Sequence, residues 1–259
     1  MISSTSNVKV KNLINLKKNA RARKKENCFL VEGPRMFFEI PKNRVKECYL
    51  TEEFANRHVK ELEDWKYELI SENVCRHISD TKTPQGVIAV VKREEPSIKE
   101  LLNKEKNPCF FLLENLQDPG NLGTIIRTAE GAGVTGIIMN KETVDIYNPK
   151  VIRSTMGAVF RVPFVIVDSL TEVITLLKEK DISVYAGHLK GDVFYKQDYR
   201  SGSAFLIGNE GNGLTDEITA LADYKIKIPM KGKITSLNAS VSAGIVMYEA
   251  VKQRMNNLQ

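Results

Sequence analysis

Three polar clusters hold most of the residues that could do chemistry. The first is NLQDPGNLGTIIRTA (115–129), a Pro-Gly loop that runs into a helical pattern. Asn121 stands near the expected N-cap, and Arg127, six residues on, is expected on roughly the same side of the helix as residues 116–121. A capped helix with one exposed arginine would account for that pair alone. The second is IGNEGNGL (207–214), where three glycines allow close backbone approach to a ligand. Its spacing is G-x-x-G-x-G, and Glu210 in its middle is a poor neighbour for a pyrophosphate, so a dinucleotide site is excluded. The third is IPMKGKITSLNASV (228–241), a strand leading into a Ser/Asn-rich helix start. Free N–H groups there suit a carboxylate or phosphate, although an ordinary Ser cap is the plainer reading.

Each cluster follows a short apolar run, as it would at the C-terminal edge of an open α/β sheet, where ligands bind. Strands are expected at 109–114, 136–139, 163–167, 182–187, 204–208 and 225–229. Helices are expected at 121–131, 149–156, from a Ser169 cap to about 180, at 214–221 and after Ser236. That alternation predicts a parallel sheet covered on both faces. Residues 92–108 are charged and bracketed by proline, so a boundary falls there: a first domain over 1–95, a linker over 96–108 and a second domain over 109–259. The first domain reads as smaller mixed α/β, with strands at 28–33, 47–50 and 86–91 and helices at 34–40 and 54–65.

Composition narrows the partners. The 259-residue chain carries a net charge of +6, and residues 8–25 hold eight basic side chains and no acid. Such a segment is either a solvated helix face or a contact for a polyanion, and the rest of the chain favours the polyanion. Four cysteines without a C-x-x-C and three unpaired histidines argue against a metal and suit a reducing, cytoplasmic setting. No run of about 18–20 apolar residues is available for a membrane span, and the first residues contain no apolar leader. EGAG (130–133) looks like a methyltransferase glycine loop but follows a helix, so it reads as a helix end; no P-loop is present. His188 reads as structural.

Together the clusters resemble the motif set of the SpoU (TrmH) family of RNA ribose 2′-O-methyltransferases in the SPOUT superfamily: N-x-x-D-P-G-N-x-G-x-x-x-R-T-A, G-N-E-G-x-G-L and I-P-M-x-G-x-x-x-S-L-N-x-S-V, in order, over about 125 residues. NPKVIRSTMGA (148–158) looks like the family too. The resemblance spans about 110–254, and residues 7–37 are similar, over short matches, to a substrate-binding domain of the ribosomal-RNA branch with a fold like ribosomal protein L30e. It implies a parallel-sheet SPOUT fold with a deep trefoil knot, active sites at a homodimer interface, and S-adenosylmethionine held by Gly187, Gly208, Ile228, Met230 and Leu237. It implies catalytic or substrate roles for Arg127, Asn121, Glu210, Ser236 and Asn238. The family's base is Arg127; a guanidinium is locked protonated, so stabilising a developing alkoxide is the other reading. The implied substrate is 23S ribosomal RNA. Alternatives are the same chemistry on tRNA, a non-catalytic ribosomal RNA-binding protein, and a nucleotide-dependent oxidoreductase, which the glycine spacing disfavours.

Overall fold

The basic N-terminal segment is folded by its asparagines. Asn7 caps α1 (Val8–Lys18) by accepting from the Lys9 N–H, and Asn19 ends it and caps α2 (Ala20–Glu26). The computed structural model describes residues 1–255. They divide into two units, Met1–Glu94 with Asp145–Phe160, and Glu95–Val144 with Arg161–Gln259.

In the first unit the apolar runs become β1 (Cys28–Glu32), β2 (Val45–Leu50) and β4 (Val87–Lys92), with the two-residue β3 (Glu68–Leu69). The sheet order is β1-β4-β2-β3, with only β2 and β3 parallel. Helices α3 (Pro34–Phe37), α4 (Glu52–Arg57) and α5 (Glu72–Ile78) complete the chain to β4. The 54–65 helix expected from sequence is shorter and starts earlier, because Thr51 caps it at Phe54 N and the chain turns after Arg57. Val10, Leu13 and Leu16 of α1 pack with Leu30, Ile88, Val90 and α5 in one core. Edge strand β1 is covered by the segment Asp145–Phe160: the Phe29 ring lies 4.8 Å from Tyr147 and 6.3 Å from Phe160. That cover blocks an edge that would otherwise be free to pair.

The basic run is not uniformly solvated. Arg23 is 3% exposed, and its guanidinium donates through Nη1 to Leu16 O and Lys17 O and through Nε and Nη2 to one oxygen, Asp145 Oδ2, at 2.9 and 2.5 Å. Lys11, Lys18, Arg21, Lys24 and Lys25 are exposed.

The second unit begins with α6 (Ile98–Leu102), whose Leu101 and Leu102 are buried in its core. A six-stranded, all-parallel sheet follows: β5 (Cys109–Leu113), β6 (Gly136–Asn140), β7 (Phe164–Val167), β8 (Ser183–Val193), β9 (Ser203–Ile207) and β10 (Tyr224–Lys227), in the order β10-β8-β9-β5-β6-β7. The helices are α7 (Pro119–Gly131), α8 (Pro149–Thr155, in the first unit), α9 (Leu170–Lys178), α10 (Asp216–Leu221) and α11 (Ala239–Met255). One face of the sheet packs Phe110, Leu112, Val184 and Leu206 on α9. On the other face Phe111, Phe205, Tyr185 and Tyr224 stand in register on four neighbouring strands, their rings 5.0, 5.4 and 5.1 Å apart. Strand spacing of about 4.8 Å dictates such stacking.

Strand β8 outruns its expected end. Ala186 pairs with Lys225 and Asp192 with the next residue, Ile226, so residues 187–191 bulge out of the ladder. Residues 130–133 do end α7, with Gly133 at φ +63°.

Candidate active site

Asp118, not Asn121, caps α7: its carboxylate accepts from Asn121 N at 2.8 Å, and Pro119 takes the first helical position. Asn121 therefore sits inside the first turn, 7% exposed, with its amide turned to two other clusters. Its Nδ2 donates to Glu210 Oε1 at 3.0 Å, and its Oδ1 accepts from Asn238 Nδ2 at 2.8 Å. One amide thus joins the glycine loop after β9 to the start of α11.

The glycine loop is laced to the loop after β5 along its length. Glu210 accepts from Gln117 N at 3.0 Å and Asp118 N at 2.9 Å. Asn209 Nδ2 donates to Asn115 O at 2.8 Å. Asn115 takes a left-handed conformation, φ 55°, which asparagine tolerates, and exchanges hydrogen bonds with Asn140 at 2.9 and 2.7 Å. Burial pushes the Glu210 carboxyl up, but donation by Asn121 and by the Gln117 and Asp118 N–H groups outweighs it, and the net shift is downward. Glu210 is thus an anion that fixes backbone; it does not touch Arg127.

Asn238 replaces Ser236 as the cap of α11, its Oδ1 accepting from Ser240 N at 2.9 Å and Val241 N at 3.3 Å. Ser236 is exposed, and its side chain makes no hydrogen bond among the described residues. Arg127 is not on the Asn121 side of α7. At about 100° per residue, six residues leave the two roughly 120° apart. Arg127 is exposed and has no hydrogen bond or ion pair among the described residues.

The expected cofactor residues lie at the C-terminal edge of three adjacent strands. Gly187 follows the Ala186 that pairs with Leu206 and Lys225, Gly208 follows β9, and Ile228 follows β10. Gly208 is required by its own loop: a Cβ there would collide with the Gly213 carbonyl and Leu214 N. Gly187 is different. A Cβ there would meet only Leu206 O, at 3.7 Å, so the fold leaves the space above it open. Ile228, Met230 and Leu237 are half-buried apolar side chains at this polar edge. Residues 228–238 must run from edge strand β10 to α7, over the ends of β8 and β9, because Asn238 is tied to Asn121. An open glycine and half-buried apolar side chains in the segments that follow neighbouring strands suit a partly apolar ligand such as S-adenosylmethionine. His188 Nδ1 only accepts from Lys190 N, at 3.1 Å. Among the described residues no group of side chains could hold a metal ion.

Sequence reasoning assigned nothing to Glu114, Asn140, Asn209 or Gln117. The one available signal was position, since each is a polar residue just past an apolar strand or in a loop at the ligand edge.

Residues 108–248 match the SpoU rRNA Methylase family, and residues 7–89 match the MRM3-like substrate binding domain. The 23S rRNA (guanosine(2553)-2′-O)-methyltransferase RlmP of Bacillus subtilis is 34% identical over 251 residues, covering 95% of this chain and 97% of its own length. The crystal structure of the SpoU methyltransferase AviRb from Streptomyces viridochromogenes in complex with AdoMet superposes with a TM-score of 0.85 at 28% identity, covering 96% of this chain and 98% of that one. The TrmH/SpoU tRNA modifying enzyme of A. aeolicus matches at a TM-score of 0.52 and 28% identity over 61% of this chain and 81% of its own. With more than half of its length matched by the family and a full-length relative above 30% identity, this chain belongs to the SpoU rRNA methylase family.

Proposed function

We propose that this protein methylates the ribose 2′-oxygen of a nucleotide in 23S ribosomal RNA, using S-adenosylmethionine. The observation that carries the reading is the Glu210–Asn121–Asn238 chain, which binds the three polar clusters into one site at the ligand edge of the sheet. Ribosomal RNA is favoured over tRNA by coverage: the full-length relatives include the N-terminal unit, whereas the tRNA-modifying structure matches only 61% of the chain.

The bound cofactor supplies an electrophilic methyl on a sulfonium. Gly187, Gly208, Ile228, Met230 and Leu237 are assigned to hold it. Asn121, Ser236 and Asn238 are assigned to the ribose and to loop geometry, with Glu210 fixing the loops that carry them. Arg127 is assigned to the developing negative charge on the 2′-oxygen as the hydroxyl proton passes to solvent water: a guanidinium has only donors, so it hydrogen-bonds that oxygen rather than acting as the base. Much of the remaining acceleration comes from holding oxygen, methyl and sulfur in line.

The same surface supports a homodimer. Val241 and Tyr248 on α11 are 49% and 53% exposed, two turns apart, and α11 packs on α7, which carries Arg127, unpartnered among the described residues. A second copy seated there would bring Arg127 to an interface. The strap from β10 over the ends of β8 and β9 supports a deep trefoil knot. Residues 1–95 are assigned to RNA selection through the exposed cations of α1 and α2, residues 96–108 to the link, and 109–259 to methyl transfer, in a cytoplasmic enzyme.

The test is incubation of the protein with unmodified 23S rRNA and isotopically labelled S-adenosylmethionine, followed by nuclease digestion and mass spectrometry. A single labelled 2′-O-methyl nucleotide is expected. Label on a base, or none on 23S rRNA while tRNA is labelled, overturns the proposal.

A further inference from the structure

Glu114 is a buried carboxylate that no cation meets among the described residues. It is 5% exposed, at the end of β5, and its two oxygens accept from one residue: Oε1 from the Thr215 hydroxyl at 2.7 Å and Oε2 from Thr215 N at 2.8 Å. Its own backbone N–H donates to Ile207 O at 2.9 Å. Ile207 is the last residue before the glycine loop and Thr215 the first after it. One residue therefore pins both ends of the seven-residue loop 208–214.

The loop turns that clamp into control of Gly208. Asn209 and Gly213 exchange backbone hydrogen bonds at 3.0 and 2.9 Å, and Gly208 lies so close to Gly213 and Leu214 that no side chain fits between them. A shift of Thr215 carries Leu214 and Gly213 with it, and Gly208 cannot stay where it was. A carboxylate suits the task because it accepts from Thr215 N and from the Thr215 hydroxyl at once, while the hydroxyl oxygen accepts from Ile218 N and caps α10. A glutamine would keep one acceptor for Thr215 N but would have to donate to the Thr215 oxygen, which already accepts from Ile218 N at 3.3 Å, so both charge-assisted bonds are lost.

We propose that Glu114, acting through Thr215, is the positioning residue that sets the glycine loop for S-adenosylmethionine. This rests on the cofactor assignment proposed above. The test measures S-adenosylmethionine affinity by calorimetry on the full chain for Glu114→Gln, Thr215→Ser and Thr215→Val, with hydrogen exchange of the 208–214 amides in the unliganded protein. Glu114→Gln should weaken binding about tenfold, the scale of a lost hydrogen bond to a charged group. It should raise the KM for S-adenosylmethionine with little change in kcat at saturation, and speed exchange at Asn209 and Gly213. Thr215→Ser keeps both donors and should bind like the wild type, and Thr215→Val should fall between. Glu114→Gln with wild-type affinity and wild-type exchange overturns the inference, as does Thr215→Ser as impaired as Glu114→Gln. If the wild type itself binds no S-adenosylmethionine, the functional proposal fails, and the exchange rates still decide whether Glu114 clamps the loop.

Discussion

Asn238 reaches Asn121 across 117 residues of sequence and fixes the orientation of its amide: Asn238 Nδ2 donates to Asn121 Oδ1 at 2.8 Å, which leaves Asn121 Nδ2 to donate to Glu210 Oε1 at 3.0 Å. Because Asn238 Oδ1 also caps α11, the two roles separate by substitution. Asn238→Asp keeps a good cap but sets a carboxylate oxygen against Asn121 Oδ1. Flipping Asn121 would only move the clash to Glu210. The expected result is unfolding free energy within about 1 kcal/mol of wild type, since Asp and Asn cap about equally, and methylation reduced more than tenfold. Urea unfolding and single-turnover methylation measure the two. A wild-type rate for Asn238→Asp would show that the amide relay does not matter to the chemistry.

Arg127→Ala separates a catalytic arginine from a structural one. The side chain is exposed and unpartnered among the described residues, so its removal should change stability by no more than about 0.5 kcal/mol. Affinity for S-adenosylmethionine should also hold, and turnover should vanish. Arg127→Lys keeps the charge but not the planar fork and should recover little. Methyl incorporation, calorimetry and thermal melts on the same preparations check all three. Normal turnover by the alanine variant would remove Arg127 from the reaction.

What could be read beforehand was local. Five apolar residues followed by Glu114-Asn115 announce β5 and its polar exit, and Ser169 caps α9 as expected by accepting from Glu172 N. What failed was long-range or angular. The Arg23 partner lies 122 residues away in Asp145, and no periodicity near either residue signals it. The same holds for Tyr147, buried against Phe29 from the loop just before the helix expected at 149–156. Asn121 and Arg127 looked like companions by spacing, but the helical repeat puts them on different faces. Ser236 and Asn238 both had cap chemistry, and only the reach to Asn121 decides between them.

Acid should weaken the site through Glu210. Its carboxyl titrates below the ordinary glutamate value in the folded chain, so its ionised form stabilises the fold. That contribution is complete above the unfolded-state pKa and is lost as pH falls through the depressed folded value. Glu210→Gln lacks it. The wild type should therefore be more stable than Glu210→Gln at pH 7, and the gap should close as the pH drops below the usual carboxylate range. Urea midpoints for both proteins between about pH 7 and 3 measure the gap, with other carboxylates cancelling in the comparison. A gap that widens in acid would reverse the sign of the assigned interaction.

The basic helices should divide into phosphate contacts and one clamp. Arg21, Lys24 and Lys25 are exposed, whereas Arg23 is buried against Asp145, Leu16 O and Lys17 O. If α2 faces RNA, alanine at Arg21, Lys24 or Lys25 removes one counterion-releasing contact and flattens the dependence of log K on log salt by about 0.7–0.9 each. Arg23→Ala should leave that slope alone. It should instead cost about 3 kcal/mol of stability, because it breaks a largely buried pair. Asp145→Ala should cost somewhat less, since the Asp145 side chain is 28% exposed and Arg23 keeps its two carbonyl acceptors. The double variant should cost well under the sum of the singles, as expected for partners in one network. Filter binding across a salt series and urea unfolding decide the matter: a flattened slope with intact stability for Arg23→Ala would move Arg23 from the clamp to the RNA-contacting set.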